Sequence, residues 1–154
     1  MDMTRNMNEQ IVESLYHEAM ELAEDLRGVF ARGFAARDGE TTDDARRALS
    51  IEGMRSTTRI MNVLAWLLNQ RAYFSGELSA RQLLRRNRLA EDRPSEGPYL
   101  GALEPEIRAL IGETERMHAR VARLDEEWRE QTSTTEGAVH AMHDRIAGAF
   151  TATA

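Results

Sequence analysis

The sequence contains no cysteine, so disulfides, thiolate nucleophiles and cysteine-ligated zinc or iron–sulfur centres are excluded. A chain without thiols suits a reducing compartment, and a cytoplasmic protein is the expectation. Lysine is absent as well: all 20 basic residues are arginine, a bias that GC-rich coding explains without any special need for guanidinium chemistry. No apolar run is long. The longest, Ile60 to Leu68, is interrupted by Asn62, whereas a membrane-spanning helix needs about 20 apolar residues. The opening MDMTRNMNEQ has no apolar core of the secretory kind, and no membrane association is expected. Glycines are scattered, so there is no phosphate-cradling loop and no Gly-x-Ser-x-Gly elbow. Strand alternation and internal repeats are missing too.

What remains is helical pattern on a chain of 154 residues, long enough for one domain to bury a core without a metal or a disulfide. Ile11, Leu15, Ala19, Leu22, Leu26 and Val29 form one apolar stripe, predicting a helix over 8–36. The stretch ARDGETTDDA, with Asp38-Gly39, reads as a loop. A second helix starts either at Thr41, with Asp44 completing a cap, or at Ser50, with Gly53 weakening the join; it ends at Ser75-Gly76. Ser79 and Gln82 form another cap pattern, opening a short basic helix ARQLLRRNRLAED, and EDRPSEGPYLG reads as a flexible connection. A third helix starts at Pro105, and from Leu103 just ahead of it Ile107, Leu110, Thr114, Met117, Val121, Leu124 and Trp128 follow at alternating spacings of four and three. After QTSTTEG, a short amphipathic C-terminal helix carries Val139, Met142, Ile146 and Phe150. The expected fold is all-α: an antiparallel three-helix bundle in a single domain, 1–154, with a short basic helix between helices 2 and 3. Residues 132–154 form a tail that is mobile or orders only on binding.

On a wheel of about 100° per residue, the second helix shows three faces. Met54, Thr57, Met61, Leu64, Ala65, Leu68 and Ala72 form one apolar stripe; Ile60, Val63, Leu67 and Phe74 form a second. Two such stripes suit a helix with two neighbours, which assigns Met61 and Leu68 to the core. The third face holds Arg55, Arg59, Asn62, Trp66, Asn69, Gln70 and Tyr73, the mixture of aromatics and arginine that protein–protein hot spots favour. These seven residues are candidates for binding a partner. The competing reading buries Trp66 under Leu83, Leu84 and Leu89 of the short helix.

Chemistry has few candidates. Glu115 and His118 form a single Glu-x-x-His, where a di-iron carboxylate bundle needs two plus further glutamates. Glu13 with His17, and His140 with His143, have ligand spacing that charged helices also produce by chance. No metal, cofactor or catalytic residue is expected, and no enzyme. The one basic cluster contains Arg81, Arg85, Arg86, Arg88 and Arg93. Of these Arg81, Arg85 and Arg86 join the partner-binding candidates, for an acidic protein surface or, as the alternative function, a nucleic acid bound through Arg81–Arg93. The net charge of −6 and the long-rod pattern disfavour the nucleic acid.

The stretch SIEGMRSTTRIMNVLAWLLNQRAYFSGELS resembles the signature of the alphaproteobacterial RcdA family, regulators of CtrA degradation. The matching positions are Ser50, Glu52, Arg55, Thr57, Thr58, Arg59, Trp66, Leu67, Leu68, Gln70, Arg71, Ala72, Gly76 and Glu77. LYHEAM and VARLDEE are similar to the family as well, so the resemblance spans most of the chain. Gly53 and Ser56 depart from it, standing where bulkier residues are expected. The resemblance implies a homodimeric, non-enzymatic adaptor that helps deliver cell-cycle regulators such as CtrA to the ClpXP protease. It further implies work alongside partner adaptors like CpdR and PopA, and residence at the cell pole.

Overall fold

The computed structural model describes residues 2–35 and 42–151, with the side chains of 3–35 and 42–147. Within the described residues the chain is all-helical: α1 (Asp2–Ala35), α2 (Asp43–Phe74), α3 (Ala80–Arg86), α4 (Gly97–Gly101) and α5 (Pro105–Thr151). The chain divides into two compact units, Met1–Val121 and Ala122–Ala154. That division falls ahead of the tail that the sequence reading starts at residue 132. No described helix is long and apolar enough to cross a membrane.

Local chemistry sets the helix ends. Thr42 caps α2, its hydroxyl accepting from the Ala45 amide at 3.2 Å, so the helix begins ahead of Ser50 and runs unbroken through Gly53. At the other end Gly76 adopts φ +86°, and the Glu77 and Gly76 amides donate back to the Ala72 and Tyr73 carbonyls. This left-handed closure is one for which glycine is suited. Ser79 and Gln82 form the reciprocal capping box that their spacing predicts. The predicted loop residues Asp38 and Gly39 lie outside the described residues.

The core of the first unit comes from one stripe of each long helix. Val12, Leu15, Ala19, Leu22, Leu26, Val29 and Phe30 are buried on α1; Ala48, Leu49, Ile60, Val63, Trp66 and Leu67 on α2; Ile107, Ile111, Met117 and Val121 on α5. Gly53 lies against Phe30 of α1. A Cβ built there would stand 3.0 Å from the Phe30 ring, which explains the small residue where the family pattern suggests a larger one. Gly53→Leu is expected to destabilise the chain by about 1–3 kcal/mol through overpacking. A urea midpoint at or above wild type would show that the Phe30 ring moves aside freely.

The helix directions correct the expected topology. Arg71 on α2 pairs with Glu13, and Arg5 donates to the Phe74 carbonyl, so α1 and α2 are antiparallel. Arg32 pairs with Glu106 and Glu18 with Arg120, so the first part of α5 is also antiparallel to α1. Consequently α2 and residues 105–121 run in the same direction, and the expected up-down-up antiparallel arrangement does not hold. The chain from 75 to 104 must therefore travel back along α2. From Glu52 to Asn69, α2 rises about 25 Å, a span that residues 87–96 cover when extended at about 3.3 Å each. The basic helix accordingly stops at Arg86, and the rest of ARQLLRRNRLAED belongs to this strap.

In the second unit the predicted break at QTSTTEG is also corrected, since α5 continues through it to Thr151. The hydroxyls of Thr132, Thr134 and Thr135 donate to the carbonyls of Trp128, Glu130 and Gln131, four residues back. Their polar side chains are thereby absorbed by the helix instead of competing with it. Val139, Met142 and Ile146 are exposed; the side chain of Phe150 lies outside the described residues.

Candidate functional site

Two faces of α2, each repeating every seven residues, exchange the roles expected of them. Met54, Met61 and Leu68 are 72, 59 and 48% exposed, not core. Glu52, Arg59 and Trp66, offset by two residues or about 200°, are each at most 1% exposed. Of the seven third-face candidates, Arg59, Trp66 and Gln70 are buried within the chain itself, and Arg55, Asn62, Asn69 and Tyr73 are half-buried.

The strap accounts for the burial of Arg59. Its Asp92 carboxylate accepts from the Arg59 Nε at 2.8 Å, while Nη1 donates to the Thr114 hydroxyl at 2.9 Å and Nη2 to the Arg93 carbonyl at 3.0 Å. Glu115 stands 3.5 Å from Nη2 and accepts from the Ser95 amide at 3.0 Å. The guanidinium thus has a carboxylate, a hydroxyl and a carbonyl arranged around its fork, which is how a buried arginine becomes tolerable. At one end of the strap the buried Asn87 donates to the Trp66 carbonyl at 3.1 Å and accepts from Asn69 at 3.0 Å. At the other, Arg55 pairs with Glu96 at 2.8 Å and with buried Glu52 at 3.0 Å, with Tyr99 beneath its guanidinium. Glu96, and then Glu52, holds the Arg55 guanidinium above its usual range. Between them His118 Nε2 donates to the Ala90 carbonyl at 2.9 Å. The predicted flexible connection is therefore bonded to α2 and α5 along its length. The competing reading of Trp66, as a side chain buried within the chain, is the one its 1% exposure favours.

Two of the three ligand-spaced pairs are committed elsewhere, while His140 and His143 are exposed. Glu115 and His118 hold the strap, and His17 Nδ1 bonds the Glu13 carbonyl at 2.7 Å. Among the described residues no three His, Asp or Glu side chains converge on a cation position. Open grooves are shallow and lined by charged residues: one of about 300 Å³ lies between α1 and α5 around Glu18, Glu21, Arg116 and Arg120. Another, about 410 Å³, brings Leu68 and Ala72 beside Glu9 and Glu13.

What stays accessible is therefore different from the expected site. It comprises the methionine–leucine stripe of α2, which hydropathy alone assigns to the core, and the basic helix, where Arg81, Arg85 and Arg86 are exposed as expected. Heptad spacing of 54, 61 and 68 is the signal that marks the stripe, but it is equally the signal of a buried seam. No curated protein and no solved structure matches the chain. Residues 3–150 match the family described as "Protein of unknown function (DUF1465)", and the chain belongs to that family.

Proposed function

We propose that the chain is a non-enzymatic, homodimeric three-helix adaptor that helps deliver cell-cycle regulators such as CtrA to the ClpXP protease, as its resemblance to the RcdA family implies. The observation that supports a protein–protein role is the exposed stripe Met54, Met61 and Leu68, with Thr57 and Ala65 beside it. It spans about 21 Å of helix, and its small flanking residues allow a second helix to approach closely. An antiparallel pairing of two copies about Met61 sets Met54 of one against Leu68 of the other, a self-complementary arrangement that closes on two-fold symmetry. The methionines suit such a contact because they adapt to an irregular neighbour. CpdR-like and PopA-like adaptors are the expected partners, in the cytoplasm and at the cell pole.

Two measurements test this. Adding the purified protein to ClpXP, the partner adaptors and CtrA is expected to accelerate loss of CtrA; an unchanged rate overturns the adaptor reading. Met61→Glu places two carboxylates against each other at the proposed axis, and light scattering is expected to show monomer. Its circular dichroism should stay that of wild type, since an exposed substitution shifts stability by about 0.5 kcal/mol or less. A Met61→Glu protein that remains dimeric would place the dimer contact elsewhere.

A further inference from the structure

Eight arginines of the described residues are answered by carboxylates: Arg27, Arg32, Arg46, Arg55, Arg59, Arg71, Arg120 and Arg129 form ion pairs. Arg81, Arg85, Arg86 and Arg88 form none, although the chain has 26 acidic residues against 20 basic ones. Four exposed guanidinium groups within eight residues thus lack internal compensation in a chain that is acidic as a whole.

These groups stand on a fixed base. The Ser79–Gln82 capping box closes the start of α3, and the Asn87 amide donates to the Leu83 carbonyl at 2.8 Å at its end. The Asn87 side chain, between Arg86 and Arg88, is plugged into the buried bonds with Trp66 and Asn69. The contacts that hold α3 in place therefore involve none of the four arginines. Arg81 and Arg85, four apart, share a face, with Arg86 about 100° further round. A preorganised fork of this kind binds a carboxylate in two parallel hydrogen bonds and loses little entropy in doing so.

We propose that α3 and Arg88 form a docking site for a short acidic segment of a partner protein, one that presents carboxylates about four residues apart. An acidic peptide is favoured over a nucleic acid because the site is short and carries few charges. A polyanion extending past it would meet a chain of net charge −6, whereas a peptide's few carboxylates end where the arginines end. The proposal rests on the protein–protein reading above but not on ClpXP, and a binding assay with purified components fails or succeeds independently of the degradation assay.

The test is fluorescence anisotropy with a labelled peptide of about twelve residues carrying glutamates at every fourth position, and in parallel a labelled DNA duplex, both at low salt. The peptide is expected to bind, and a protein with Arg81→Glu, Arg85→Glu and Arg86→Glu to bind at least about tenfold more weakly with an unchanged melting curve. The triple arginine-to-lysine protein, which keeps the charge and loses the fork, is expected to fall between. Peptide binding that is absent at low salt, or equal in wild type and the charge-reversed protein, overturns the proposal. So does tighter binding of the duplex, which would assign the site to nucleic acid.

Discussion

Arg59→Ala is expected to lower the free energy of unfolding by about 3–5 kcal/mol, the usual effect of removing one partner from a buried ion pair. Arg59 has no exposed side-chain surface and satisfies Asp92, Thr114 and the Arg93 carbonyl at once. Its removal strands the Asp92 carboxylate against a low-dielectric surface and releases the centre of the strap. Asp92→Asn keeps the shape and one acceptor, so a smaller loss of about 1–2 kcal/mol is expected. Hydrogen exchange should show where the loss is felt, with faster exchange in residues 87–96 while the amides of α1 keep their protection. An Arg59→Ala protein that melts like wild type yet fails to bind partners would restore Arg59 to the interface that sequence composition suggests.

Trp66→Ala is expected to have a comparable effect, about 3–5 kcal/mol, because the indole is 1% exposed and its deletion leaves a cavity. Met61→Ala and Leu68→Ala are expected to change stability by only about 0.5 kcal/mol when measured at a concentration where the chain is monomeric. This ordering reverses what hydropathy predicts for α2, and urea denaturation of the three variants decides between them. A large loss for Met61→Ala in the monomer would return that residue to the core.

Much of the fold is legible along the chain because helix signals are local. The stripe of α1, the capping box at Ser79, the glycine stop at Gly76 and the proline start of α5 each depend on residues within one or two turns. Two local signals mislead. The threonines of QTSTTEG look like a break, but each hydroxyl finds the carbonyl four residues back once the helix has formed. The prolines and glycines of EDRPSEGPYLG look flexible, but what fixes that segment is a set of bonds to residues 20 to 44 positions away.

The sequence by itself determined that this is a helical chain without thiol chemistry or a long apolar span, with three long amphipathic segments and one basic cluster. Only the tertiary structure decided which face of α2 is inside. Composition rates Arg59 as polar and Met61 as apolar, and in isolation that ranking sends the arginine outward. The ranking inverts because the strap runs back along α2 and delivers Asp92, the Arg93 carbonyl and Asn87 to that side, while no other described helix supplies apolar cover for Met54 and Met61. Burial of a charge depends on the partner that meets it, and that partner stands 33 residues away in the chain.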